Sequence, residues 1–378
     1  MIIAKIDTFP LRIPFKPDTR AAASAWGDKG LLVADSLLVR ITTDQGLEGW
    51  GETFGFRAVP SAKLAIDELI APLCIGRDAT QIRPLMLEVQ RKLHILGRTG
   101  PLFYGISAVD IALWDIAGKA TGAPVCRLLG GAGATDLPCY ASLLRYSDSS
   151  LVRANVRRAL DSGFHSLKLH EIELSAIRAA REEAGPDVSL MLDVNCPWTL
   201  SEARMRAAEL KELRLKWLEE PLWPPENYDG LAQLRRACGI PIAAGENSST
   251  LMDFERLLAA EAVDFVQPSV AKMGGITELL KVFPIAAVRN VTVVPHCFYG
   301  GPGLLAAIHV TAALGTADAM IEWSYFDLET QLYGGVLTPV NGQISVPQCP
   351  GLGIDPDHNV IRDYLRVWTD ARAQKVAL

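Results

Sequence analysis

Asp193, Glu219 and Glu246 each close a short apolar run and lie 26 and then 27 residues apart. Their settings are Met191-Leu192-Asp193-Val194-Asn195, Trp217-Leu218-Glu219-Glu220-Pro221 and Ala244-Gly245-Glu246-Asn247. The interval fits one strand, one helix and two loops. If each run is a parallel barrel strand, the three carboxylates emerge at the C-terminal ends of successive strands, where barrel enzymes assemble their sites. One acidic residue at a strand end is commonly a helix cap; three in register make a ligand set. Oxygen donors with no Cys and no clustered His favour a hard divalent cation, Mg²⁺ with Mn²⁺ as an alternative, over Zn²⁺.

A cation held this way beside a base suits removal of the proton next to a substrate carboxylate, because the carbon acid is too weak unless its developing charge is stabilised. The preceding run ends Leu167-Lys168-Leu169-His170. Period-two alternation places Lys168 and His170 on one face, pointing into the barrel mouth. A lysine near an imidazole and a metal is expected to have its pKa lowered toward neutrality, as a general base requires. Either Lys168 or His170 could take the proton. His296, ending Val293-Val294-Pro295-His296, faces them from the seventh strand and gives a substrate a second acid-base face. Glu322, in Ile321-Glu322-Trp323, is placed to hydrogen-bond a substrate carboxylate, and Lys272 to lie near the metal carboxylates.

The elements that must position these groups follow from the hydrophobic pattern. Strand-like segments at 2–12, 35–43 and 48–53, joined by the turn Asp44-Gln45-Gly46, precede helical sequence over about 61–96, which describes an α+β domain. From 137 to 323 apolar runs alternate with helical stretches. Runs at 139–143, 166–169, 190–192, 216–218, 240–243, 265–266, 292–294 and 320–321 predict eight parallel strands of a barrel. After Trp323 the alternation stops, and turns with short strands are expected to return to the first domain. The boundaries read 1–125, 126–325 and 326–378.

Composition narrows the class without choosing a partner. With 378 residues, 49% of them hydrophobic, and a net charge of -6, the chain has no basic face for nucleic acid. Seven cysteines without a C-x-x-C pair argue against a disulfide framework or zinc knuckle and suit a reducing cytoplasm. The N-terminus reads as a strand rather than a signal peptide, and the uncharged stretch 291–317 is interrupted by Pro and Gly, so no membrane partner is expected. The expected partner is a small-molecule carboxylate.

Several stretches together resemble the enolase superfamily, in its mandelate racemase and muconate lactonizing enzyme branch. They are Ser107-Ala108-Val109-Asp110-Ile111-Ala112-Leu113-Trp114-Asp115 with Gly118-Lys119, Leu128-Leu129-Gly130-Gly131, the three carboxylate settings, Gln267-Pro268 with Gly274-Gly275, and Val294-Pro295-His296. The resemblance implies a modified (β/α)₇β barrel of the TIM type under an α+β capping domain, formed by the N-terminal region and the C-terminal tail. It implies Mg²⁺ on Asp193, Glu219 and Glu246, with Lys168 and His170 working on one face of the substrate, His296 on the other and Glu322 on its carboxylate. It also implies homo-oligomers, and substrate loops at 15–26 and 52–59 that carry Arg20, Trp26 and Phe54. Asn195, Ser269, Lys272 and Tyr146 complete the candidate substrate contacts.

Two departures bear on the reaction. Ser269 stands where related chains carry Asp or Lys, so no carboxylate backs His296, although the Ser269 hydroxyl could fix its tautomer. His170 stands where a second lysine is commoner. Both favour one-sided proton abstraction, and so dehydration of a sugar acid, over two-base racemisation. An isomerase, either a racemase or epimerase or a lactone cycloisomerase, and a non-catalytic member are the alternatives.

Overall fold

The computed structural model describes residues 1–16, 33–131 and 134–366. Strands β1 (Ile3–Pro14), β2 (Val33–Thr43) and β3 (Glu48–Thr53) form an antiparallel meander in that order. The long helix Gly100–Thr121 packs across it, and Gly51 allows the close approach: a Cβ there would stand 1.8 Å from Ala108 O. The helical sequence expected over 61–96 is divided. Helical turns run continuously from Val59 to Cys74, and Ile82–Lys92 starts anew after a break that contains Gly76 in the left-handed region, φ 81°.

Eight parallel strands follow: β4 (Asp136–Ser142), β5 (Ser166–Leu169), β6 (Ser189–Asp193), β7 (Leu218–Glu219), β8 (Ile242–Ala244), β9 (Phe265–Val266), β10 (Thr292–Val293) and β11 (Ile321–Ser324). Each of the first seven is followed by a helix, from Ser149–Asp161 round to Pro302–Leu314. The ladder runs β10-β9-β8-β7-β6-β5-β4-β11, which curls the sheet into a (β/α)₇β barrel. Between β10 and β11 no ladder forms; instead the Cys297 N–H donates to Glu322 Oε2 at 2.8 Å across the seam. A final strand, β12 (Gln343–Ser345), pairs antiparallel with β4, and the chain then returns to the meander. There Arg366 N–H donates to Pro10 O at 2.8 Å and His358 sits edge-on to Trp50.

Alternation along the strands sorts the barrel interior into layers. Tyr140, Met191, Trp217, Ala243, Val294 and Met320 form a buried floor, with Trp217 edge-on to Tyr140 at 5.7 Å. Two residues further along the same strands come Ser142, Asp193, Glu219, His296 and Glu322, one layer nearer the mouth. The floor therefore seals the polar layer from below. No helix among the described residues is long and apolar enough to cross a membrane.

Candidate metal centre and active site

Asp193 and Glu219 lie opposite each other in the β6–β7 register. Glu246 reaches the same point by a different route. Ala243 faces the floor, so strict alternation would point Gly245 inward and Glu246 outward. Gly245 adopts φ 138°, a conformation that L side chains rarely take, and a Cβ there would lie 2.9 Å from Gln267 N. The backbone turns at this glycine, and Glu246 swings into the mouth. One oxygen from each of the three carboxylates then lies within 4.8 Å of the others.

This donor set fits a hard divalent cation. Its atoms are all carboxylate oxygens, and Asp193 Oδ2, although buried, has no hydrogen-bond partner. The nearest positive groups approach that oxygen at 3.3 Å (His170 Nε2) and 3.6 Å (Lys168 Nζ). The Glu219 carboxyl is pushed up to about 7 by burial, against the pull of Lys168. Glu246 is held well below the usual carboxylate range because His296 and Lys272 outweigh its burial.

Lys168 is fully buried and donates to Glu219 Oε1 at 2.9 Å, with Glu322 Oε1 2.8 Å away. Contrary to the lowered pKa expected of it, Lys168 is raised well above its ordinary value. Burial works against its charge, but Glu219 and Glu322 outweigh that cost. Glu322 is itself held down to about 2, burial being overcome chiefly by Lys168. It also accepts from Ser142 Oγ at 2.7 Å and from Cys297 N. As an ionised acceptor with three donors it holds Lys168 in place and has no proton to offer a substrate carboxylate, so the donor role expected of it requires a proton to move first. His170 hydrogen-bonds Leu143 O through Nδ1 at 2.5 Å, which makes Nδ1 the protonated nitrogen and turns Nε2 toward Asp193.

On the opposite side His296 Nε2 lies 2.8 Å from Glu246 Oε2. The Ser269 hydroxyl does not fix its tautomer. Ser269 Oγ pairs with Tyr299 Oη at 3.4 Å, Tyr299 donates to His296 O at 2.8 Å, and His296 Nδ1 is buried without a partner. Lys272 Nζ lies 3.7 Å from Glu246 and 4.7 Å from the ring centroid of Phe54, whose ring is in turn 6.2 Å from His296. Asn195 is also brought in, its N–H donating to Asp193 Oδ1 and its side chain accepting from Arg145.

Tyr146 is not brought to the site. Its ring is buried in the core beside Arg158 and Tyr325, and only its backbone N–H turns inward, to Glu171. Arg20 and Trp26 lie outside the described residues. Three further groups stand at the site without a role assigned to them from sequence. Gln267 is buried beside Glu219 with both amide atoms lacking a well-formed partner, Arg145 donates to His170 O, and Glu220 is buried under Asn247 Nδ2 at 2.9 Å. Gln267 had a signal: it lies two residues beyond floor-facing Phe265 and two before Ser269.

An α+β cap joined to a (β/α)₇β barrel, with three carboxylates on consecutive strand ends between a lysine and a histidine, defines an enolase-type barrel protein. Residues 30–130 match the model of the mandelate racemase / muconate lactonizing enzyme N-terminal domain, and residues 151–360 that of the enolase C-terminal domain-like family. The chain is 32% identical to the D-galactarolactone cycloisomerase of Agrobacterium fabrum over 87% of its own length and 90% of that protein's. It is 30% identical to the arabinonate dehydratase of Saccharolobus solfataricus over 86% and 89%. The crystal structure of a Streptomyces coelicolor racemase with bound magnesium superposes with TM-score 0.85 at 29% identity, covering 96% of this chain and 100% of that one. The chain belongs to the mandelate racemase and muconate lactonizing enzyme family of the enolase superfamily.

Proposed function

We propose that the protein is a Mg²⁺-dependent lyase that removes the α-proton of a sugar acid and expels water from the β-carbon. The observation that carries this reading is the placement of two proton-transferring groups against the carboxylate triad from opposite sides: Lys168 at Glu219 and Asp193, His296 at Glu246. A cation on Asp193, Glu219 and Glu246 would neutralise these carboxylates and supply the positive charge that makes the α-proton of a bound carboxylate acidic.

The remaining steps belong to the chain's own residues. Lys168 and Glu322, 2.8 Å apart, share one proton. That proton sits on Lys168, whose charge Glu219 and Glu322 favour. With Glu219 taken over by a cation at the triad, the ammonium would be disfavoured. Transfer from Nζ to the Glu322 carboxyl would then leave Lys168 neutral to take the α-proton and make Glu322 a donor to the substrate carboxylate. His170, its ring fixed by Leu143 O, orients Asp193. His296 Nε2–H then delivers its proton to the departing β-oxygen as that C–O bond breaks, giving water and an enol that ketonises to a 2-keto-3-deoxy acid. An anionic partner for His296 would favour the reverse role, proton abstraction from the second face. Glu246, a triad carboxylate, takes only Nε2; Nδ1, where such a partner would stand behind the ring, is buried with none among the described residues, because Ser269 is committed to Tyr299. Opening of a lactone ring by the same two groups, as the name of the Agrobacterium relative suggests, is the second reading.

Mass spectrometry of sugar acids and lactones incubated with the protein and Mg²⁺ in D₂O tests this. Loss of one water with one solvent deuteron taken up at carbon 3, a net fall of about 17 mass units, establishes the dehydratase. Deuterium uptake at constant composition establishes the isomerase. Absence of exchange across the panel refutes both.

A further inference from the structure

Beyond the polar layer, between the cap, β11 and the segment that follows it, lies a cavity of about 110 Å³. This is smaller than the roughly 150 Å³ that accommodates benzene in a protein core, so it admits a few carbon atoms or a small ring. Phe56, Phe298, Trp323 and Phe326 supply much of its wall. The same rings border the catalytic groups. Phe298 is 6.4 Å from His170 and stacks on Phe56 at 5.3 Å, and Phe56 lies 5.4 Å from Phe54, the ring beside His296. Ser324 follows Glu322 by two residues on the same strand, so it shares that face one layer higher.

The polar groups of this cavity are distinctive. Two are carboxylates. Glu52 accepts from Ser36 Oγ and from the N–H groups of Gly301 and Gly303, at 2.9–3.0 Å; Asp35 pairs outward with Arg12 at 2.9 Å. Two are hydroxyls without a partner, Ser324 Oγ and Tyr333 Oη, and Tyr333 is only 7% exposed. No Lys, Arg or His belongs to the wall among the described residues. A carboxylate entering here would meet two acidic side chains, one of them already paired with Arg12, and no cation among the described residues of the wall. Its own charge would go uncompensated, a severe penalty at low dielectric. A hydroxyl or ether oxygen would find two unpaired hydroxyls, and the C–H face of a sugar would find aromatic rings.

We infer that this cavity receives the distal end of the substrate and selects monocarboxylic sugar acids with an uncharged terminus against dicarboxylic ones. The inference rests on the proposed reaction for the substrate's near end but is carried by different residues.

The test uses the full chain with Mg²⁺ and matched hexonates and hexarates of the same configuration. Binding is read by calorimetry and α-proton exchange by NMR in D₂O. The expected result is a preference for the hexonate of more than about ten-fold in both. The variant Gln331→Arg, which adds a cation at the wall, should shrink that ratio towards one. Equal or tighter binding of the hexarate by the unaltered protein overturns the selectivity, whatever the turnover. Selective hexonate binding without exchange upholds it and removes the proposed reaction instead. Failure of both classes to bind overturns both readings.

Discussion

Replacement of Lys168 by methionine separates the structural from the chemical use of its charge. The side chain is fully buried and its ammonium group is the shared partner of Glu219 and Glu322, at 2.9 and 2.8 Å. Lys168→Met keeps the volume but leaves these carboxylates without their cation. Glu322 is held near 2 instead of its ordinary 4.5, mainly by Lys168; at about 1.4 kcal/mol per unit, losing that hold costs about 3 kcal/mol. This agrees with the roughly 3–5 kcal/mol found when one member of a buried pair is removed. The metal-free variant should therefore melt roughly 4–6 °C lower by calorimetry.

The pH dependence has a definite sign. Glu219, already at about 7 through burial, rises further once Lys168 is gone. A carboxyl whose folded pKa exceeds its unfolded value loses stability as pH rises between the two. That loss ends near pH 7 in the parent and continues above it in the variant, so the gap between them widens from pH 7 to pH 8. Mg²⁺ should restore much of the difference by taking over the missing charge, while α-proton exchange stays absent. A metal-free variant as stable as its parent, or one that still exchanges, would refute the reasoning.

Glu246→Gln removes one metal oxygen and frees His296 and Lys272 from their shared partner; Mn²⁺ affinity read by electron spin resonance should fall by at least about ten-fold. His296→Asn should retain α-deuterium exchange but lose product formation by about 10²–10⁴, because Lys168 alone takes the proton; loss of exchange in this variant would reverse the two roles. Gly275→Ala should destabilise the fold by several kcal/mol, of order 3, and lower the Tm. Gly275 sits at φ 81°, and a Cβ would fall 2.3 Å from Asp110 Oδ1, the acceptor of Thr277 N–H.

The parts of the site that were legible from sequence are those governed by period-two alternation. Asp193, Glu219, His296 and Glu322 stand two residues beyond apolar floor residues, and alternation carries each of them, and Lys168 beside them, into the mouth. Glu246 was found by spacing, yet its inward direction depends on Gly245, which breaks the alternation that located the others. The readings that failed concern where a side chain goes after its strand has ended. Ser269 is two residues past Gln267 and on the expected face, but a hydroxyl reaches only its nearest partner, and Tyr299 folds back from the β10 loop to take it. Tyr146, four residues beyond β4, is drawn into the core between barrel and helices because its ring buries more apolar surface there than at a polar mouth. Glu52 was hidden for the opposite reason. An acidic residue in a cap strand reads as solvated, and only the start of the helix Pro302–Leu314, with its N–H groups turned toward the cap, supplies the partners that let a carboxylate be buried 249 residues away along the chain. Contacts of that span carry the cap onto the barrel, and through it the walls that decide what reaches Lys168.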